Sequence, residues 1–173
     1  RDDKLNDYCI VTTDSLPYTV LLILAQLMVG LLVTLGIFSW LFQLTRGYLL
    51  TSAATIFALA ILSSATILSL NIPESISGFA IDKELVNLTE WLLHGTLILA
   101  ALYLMSLWKF GPRISRIIGG LAAIAGLLTI LTLAALFSQP AWSYLIVAVS
   151  FTLGSLVLGS SLTAMLWGHW YLT

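Results

Sequence analysis

Long apolar segments separated by short polar stretches dominate the pattern of this chain. Five such segments occupy residues of about 17–44, 48–70, 85–108, 114–137 and 141–167. Each segment exceeds the roughly 20 residues that a helix needs to cross a 30 Å hydrocarbon core. Because lipid offers the backbone no hydrogen-bond partners, apolar segments of this length are expected to be helical. The pattern predicts an all-α integral membrane protein with five transmembrane helices in an antiparallel bundle.

The prolines agree with these boundaries, because each one lies at the edge of a segment or in a connection. Pro17 opens the first segment, Pro112 and Pro140 fall in short turns, and Pro73 lies in a longer stretch. Short turns predict that segments three, four and five are antiparallel neighbours. We expect residues 1–173 to form a single polytopic membrane domain with one larger loop, residues 71–84, on its outer face.

The composition strengthens the membrane interpretation. Of the 173 residues 60% are hydrophobic and 9% are charged, whereas soluble domains carry about 25% charged residues. A water-soluble fold is excluded because a chain of this length cannot bury so much apolar surface. Seven basic residues spread along the chain also argue against nucleic acid as a partner. Cys9 is the single cysteine, so neither an intrachain disulfide nor covalent c-type haem is expected.

The charged residues separate by face and predict an orientation. Five spans place the N-terminal tail and residues 71–84 on one face, and the turns near residues 45–47 and 109–116 on the other. The first face carries all eight acids: Asp2, Asp3, Asp7, Asp14, Glu74, Asp82, Glu84 and Glu90. The second face carries Arg46, Lys109, Arg113 and Arg116 and no acid, whereas the other three basic residues, Arg1, Lys4 and Lys83, lie on the first face. The positive-inside rule then predicts an outer N-terminus and a cytoplasmic C-terminus, in the inner (plasma) membrane of a bacterium.

Small residues recur at every fourth position in several segments. The sets are Gln26, Gly30 and Thr34 in the first segment, Ser155, Gly159 and Thr163 in the fifth, and Ala122 and Gly126 in the fourth. This spacing puts each set on one helical face, where it lets another helix approach closely. We expect ordinary packing within the bundle. The alternative is that one stripe cradles a flat ligand or a partner helix.

Glu90 and His94 form the most informative pair of ionisable residues. They are four residues apart and share one helical face, which Asn87 extends outward. With the helix centred near residue 99, His94 lies roughly 7–8 Å from the membrane midplane, and such a residue is a functional candidate. We predict a cofactor-binding role for both. His94 would be the proton acceptor beside a quinone and exchange the proton with Glu90, or it would be the metal ligand to haem b or (bacterio)chlorophyll, with its ring oriented by Glu90 or a backbone carbonyl. Alternatively, His94 only hydrogen-bonds a neighbouring helix.

His169 is the other cofactor-binding candidate. It ends the fifth segment at the cytoplasmic boundary, next to Trp167, Trp170 and Tyr171. These aromatic residues would suit the wall of a quinone or pigment site, but they are equally typical of an interfacial anchor. His94 and His169 are expected near 30 Å apart along the membrane normal. Two ligands of one iron cannot be so far apart, so a haem held by both histidines is not expected.

Taken together, these features favour a membrane-embedded subunit of a respiratory or photosynthetic electron-transfer complex. Such a subunit would anchor partner membrane subunits in the lipid bilayer and contribute to a quinone, pigment or haem site. The alternatives are a small transporter or channel subunit and a purely structural or assembly protein. The chain has no P-loop, HExxH or GxSxG motif, so we expect no catalytic residues and no catalysis by the chain alone.

Overall fold

The computed structural model describes residues 16–70, 75–76, 79–80, 82–138 and 143–171. Five long helices fill most of this part of the chain: α1 (Leu16–Leu41), α2 (Arg46–Ser69), α3 (Lys83–Lys109), α4 (Pro112–Phe137) and α5 (Tyr144–Tyr171). Between α2 and α3 the two-residue strands β1 (Ser75–Ile76) and β2 (Phe79–Ala80) pair antiparallel as a small hairpin. The sequence pattern did not predict this hairpin.

All five helices are long and apolar enough to cross a membrane. Their candidate spans contain 24 to 27 residues and have mean hydropathies between 1.6 and 2.6. The prediction of five apolar helices is therefore confirmed. These helices are what a multi-pass membrane protein contains.

The helix boundaries differ from the predicted ones by a few residues, for local reasons. Helix α1 ends at Leu41. Four residues connect it to α2, and the last of them, Thr45, has an extended backbone. Helix α3 starts earlier than predicted, where the Asp82 side chain accepts a hydrogen bond of 2.9 Å from the Glu84 backbone N–H. That bond satisfies one of the free donors of the first turn. Helix α5 continues through Gly168, so His169 lies inside a helix and does not end it.

Helices α1 to α4 form a four-membered ring, and α5 packs outside it. Helix α1 contacts α2, α4 and α5, while α3 contacts α2 and α4. Helices α1 and α3 are thus diagonal in the ring. Of the five helices, α1 has the most buried span, at 44%, and α5 the least, at 17%. Helix α5 is therefore a peripheral helix that is attached mainly through α1.

Large apolar side chains both fill the core and cover the outside. Leu31, Leu32 and Leu35 of α1 are fully buried, together with Ile56 of α2 and Ile130 of α4. Other leucines, isoleucines and tryptophans on every helix face outward. In water such a surface would aggregate, whereas hydrocarbon accepts it without cost. The outside of the bundle therefore matches a lipid environment.

The described acids lie at one end of the bundle, as expected. Asp82 precedes α3, and Glu84 and Glu90 lie near its start, where Lys83 is also found. The opposite end, which we call the basic end, carries Arg46, Lys109, Arg113 and Arg116 near helix termini. Several residues named in the sequence analysis lie outside the described residues, namely Arg1, Asp2, Asp3, Lys4, Asp7, Cys9, Asp14, Pro73, Glu74 and Pro140.

Candidate functional site

His94 lies in the first half of α3, and its ring is held by the backbone of its own helix. The ring Nδ1 lies 2.7 Å from the backbone carbonyl oxygen of Glu90. A carbonyl oxygen only accepts hydrogen bonds, so Nδ1 carries the proton and donates it. In the neutral ring Nε2 then carries the lone pair. No partner for Nε2 occurs among the residues that the structure describes.

The Glu90 carboxylate is not the group that holds the His94 ring. The pair is joined through the Glu90 backbone, and no bond from the carboxylate to the ring is seen among the described residues. Direct proton exchange between the two side chains therefore has no support in this geometry. The alternative orientation of the ring, by a backbone carbonyl, is the observed one. Ligating histidines commonly have their second nitrogen fixed in this way.

His94 belongs to a stripe of residues that points away from the bundle. This outer face of α3 consists of Asn87, Trp91, His94, Ile98, Leu102 and Met105, spaced three or four residues apart. The side chains of Trp91 and Ile98 are 72% and 61% exposed, while His94 is partly buried. The buried side of α3, with Leu93, Thr96 and Ala100, faces α2 and α4 instead. His94 thus lies on a face that no helix of this chain covers within the described residues.

The second histidine is far from the first. His169 lies near the end of α5 at the basic end, and its side chain is exposed. His94 lies 15 residues before the end of α3, which is roughly 22 Å of helix. Helices α3 and α5 do not contact each other. The structure therefore does not bring His94 and His169 into one site. In the described part of the chain no three His, Cys, Asp or Glu residues cluster as a metal site would require.

The two stripes of small residues in α1 and α5 pack against each other. A Cβ atom added to Gly30 would clash with the Ser155 backbone carbonyl, and one added to Gly159 would clash with the Gly30 backbone. The hydroxyls of Thr34 and Thr163 are hydrogen-bonded at 2.8 Å. We call this contact, formed by Gln26, Gly30 and Thr34 with Ser155, Gly159 and Thr163, the α1–α5 seam. The packing interpretation of both stripes is confirmed, and neither is left to cradle a flat ligand.

The third pair of small residues also serves packing within the bundle. A Cβ atom on Gly126 would lie 3.0 Å from Cγ2 of Val29, so α4 approaches α1 closely there. Ala122, one turn earlier on α4, is fully buried. This face of α4 is therefore covered by α1 of the same chain.

Most hydroxyl groups inside the bundle bind the backbone of their own helix. Thr89, Thr96 and Thr129 each donate to the carbonyl four residues earlier. The Oγ atoms of Ser52 and Ser64 are buried without a partner in the described structure. Hydroxyls that bind their own helix do not form a polar path across the bundle. A transport pathway within one copy of the chain therefore gains no support.

One group of polar residues at the basic end was not singled out as a site by the sequence analysis. Arg116 of α4 and Tyr103 of α3 line the same small cavity, together with Ser39 of α1. In the sequence Arg116 is one of four basic residues near segment ends, and Tyr103 is one aromatic residue among many. No local spacing relates them, because they meet only when α3 and α4 pack.

Comparison with protein-family models, with curated proteins and with solved structures finds no match. The functional interpretation therefore rests on the residues themselves.

Proposed function

We propose that this chain is a membrane-embedded subunit of an electron-transfer complex. It binds a partner membrane subunit through the outer face of α3. His94 contributes at that interface to a site for a quinone, haem b or a (bacterio)chlorophyll. The observation that carries the proposal is the fixed His94 ring, with Nδ1 bonded to the Glu90 carbonyl and Nε2 left with a lone pair on an uncovered face.

The cost of an unsatisfied polar group in lipid supports an external partner for His94. A ring nitrogen that lacks a hydrogen bond in hydrocarbon carries a penalty of roughly a few kcal/mol. Among the described residues the chain supplies no partner for Nε2. A metal ion in a pigment, a quinone hydroxyl or a side chain of another subunit would each remove that penalty. All three are found where subunits of electron-transfer complexes meet in the membrane.

The ring orientation favours metal ligation or hydrogen bonding to a quinone over the proton relay through Glu90. A histidine that donates from Nδ1 to a carbonyl presents Nε2 in one tautomer and one direction. Glu90 then acts through its backbone, and its carboxylate is not required. His169 stays a candidate for an interfacial anchor or a separate contact, because it is remote from His94.

The first experiment compares two neighbouring substitutions in the complex purified from native membranes with mild detergent. His94→Phe keeps the ring size and removes both nitrogens. Glu90→Gln removes the charge but keeps the backbone carbonyl that holds the ring. We expect His94→Phe to abolish any haem or pigment absorption band, or to lower quinone-dependent electron transfer at least tenfold. Glu90→Gln should change neither measurement by more than about twofold.

Two outcomes would contradict this proposal in different ways. If His94→Phe assembles normally with an unchanged spectrum and full electron transfer, His94 is a packing residue only. If the wild-type chain is recovered colourless and with no other polypeptide, the electron-transfer subunit is ruled out. A stable monomer would then favour a structural or assembly role, and a homo-oligomer would favour a transporter. If both variants lose the absorption band or electron transfer equally, the Glu90 carboxylate is also part of the site.

The orientation of the chain is part of the same proposal. The basic end should face the cytoplasm of a bacterial cell and the start of α3 should face outward. A Cys9→Ser background removes the only natural thiol. In that background, a cysteine replacing exposed Asp82 should react with an impermeant maleimide in intact cells. A cysteine replacing exposed Lys109 should react only after permeabilisation, and the reverse labelling pattern would invert the topology. Ser115 is unsuitable, because it is buried.

A further inference from the structure

A small cavity lies near the basic end, where α1, α3 and α4 meet. Its volume is about 10 Å³, which is room for roughly one water molecule or one oxygen atom. The lining residues are Leu32, Gly36, Ser39, Tyr103, Arg116 and Gly119. We call this cavity the Arg116 notch. It is distinct from the outer face of α3 and lies much closer to the helix ends.

Tyr103 lines the notch and carries a buried hydroxyl group. Its side chain is only 5% exposed, and its ring packs on Gly119, where an added Cβ would lie 3.0 Å from Cε2. The hydroxyl oxygen has no hydrogen-bond partner among the described residues, and part of its surface remains accessible. A buried tyrosine hydroxyl normally has a partner. This one is therefore free to bind a group that enters the notch.

Arg116 brings a positive charge that no described carboxylate neutralises. Its guanidinium lies 5.9 Å from the centre of the Trp40 ring, which fixes the group by a cation–π contact and leaves its N–H donors unused. The described acids lie at the opposite end of the bundle. Arg46 differs, because its guanidinium donates to the Trp108 carbonyl oxygen at 3.1 Å. Arg116 is thus a cation with a fixed position and with no counter-ion among the described residues.

We infer that the Arg116 notch binds a phosphate group, with one oxygen in the cavity and the remaining atoms outside it. Guanidinium groups match phosphate geometry, and a hydroxyl adds a second donor. Arg116 lies four residues into α4, roughly 6 Å below its start, where the headgroup layer of a bilayer meets the hydrocarbon. Trp40 and Trp108, both well exposed at this end, are typical of that depth. The phosphate comes from an anionic phospholipid or from free phosphate.

Gly36 keeps the notch open from the α1 side. A Cβ atom built on Gly36 would have no heavy atom within 4 Å. A larger side chain at this position would therefore meet no backbone, and it would lie at the wall of the cavity. This offers a way to block the notch while Arg116 and Tyr103 stay in place.

The test uses the full chain, purified in detergent with any subunits that remain attached, and native mass spectrometry. The probes are phosphatidylglycerol, phosphatidylcholine and inorganic phosphate. We expect Arg116→Gln to weaken phosphatidylglycerol binding roughly tenfold or more, and Tyr103→Phe roughly three- to tenfold. Gly36→Leu should weaken binding as much as Arg116→Gln. The matched control is Arg113→Gln, which removes the same charge from an exposed position three residues away and should change binding less than about twofold.

The outcomes separate the notch from general attraction to a basic surface. Equal losses for Arg116→Gln and Arg113→Gln would overturn the inference, because only overall charge would then matter. Unchanged binding in Tyr103→Phe and Gly36→Leu would overturn it as well, and these variants remain informative if Arg116→Gln does not fold. Displacement of the lipid by excess inorganic phosphate would assign the site to a phosphate group alone. Resistance to displacement would assign it to the lipid headgroup.

Discussion

The α1–α5 seam and the outer face of α3 are both helical surfaces in an apolar bundle, yet they are built in opposite ways. The seam uses glycine and hydroxyl residues, and its backbones touch at Gly30 and Gly159. The outer face uses bulky residues such as Trp91 and Ile98, which are mostly exposed. In the seam the hydroxyls of Thr34 and Thr163 bond to each other across the two helices. On the outer face the Nε2 atom of His94 has no partner among the described residues.

This difference shows how contact surfaces are recognised when the solvent is lipid. Apolar content does not separate them, because hydrocarbon and leucine are equally apolar. Close approach through small residues marks a contact that the chain has already made. A fixed polar atom on a surface of large side chains is the feature on which our proposal of an external partner rests.

The largest expected effect comes from placing the same substitution in the seam and at Gly95, next to the outer face of α3. Gly30→Leu forces a side chain into the Ser155 backbone, so α1 and α5 must separate. We expect a loss of about 3 kcal/mol or more in the free energy of unfolding. Gly95→Leu is the matched control on α3, where an added Cβ meets no heavy atom within 4 Å. It should change stability by less than about 1 kcal/mol, toward greater stability, because leucine is the better helix former.

Unfolding in mixed micelles, followed by circular dichroism, would measure both variants. A Gly30→Leu protein as stable as the wild type would show that α5 does not pack on α1 through this seam. A strongly destabilised Gly95→Leu protein would show that the region of α3 around Gly95 is covered in the folded chain.

A smaller effect is expected from the hydrogen bond across the seam. Thr34→Val keeps the shape of the side chain and removes the hydroxyl that bonds Thr163 at 2.8 Å. We expect a loss of about 0.6 to 1.7 kcal/mol, the range found for hydrogen bonds between helices in membranes. Thr66→Val is the control, because that hydroxyl bonds only its own helix, at the Leu62 carbonyl. Its effect should stay within about 0.5 kcal/mol, and equal losses for the two variants would argue that the bond across the seam contributes nothing.

The sequence by itself determined the class of the protein and the positions of its helices. An apolar segment longer than the hydrocarbon core has one satisfactory backbone conformation, so length and hydropathy predict the five helices directly. The spacing of Gly30 and Gly159 within their stripes also showed that these faces pack closely. The place of His94 in the first half of the third helix also followed from the extent of the apolar segment.

Only the tertiary structure decided which faces meet. A stripe of small residues does not specify which helix packs against it. The pairing of α1 with α5 depends on how all five helices fit together. The sequence likewise could not choose between the Glu90 carboxylate and the Glu90 carbonyl as the group that holds His94. Tyr103 and Arg116 are thirteen residues apart on different helices, and they form one cavity only because α3 and α4 pack side by side. Periodicity describes one helix at a time, and contacts between helices depend on packing that no single helix encodes.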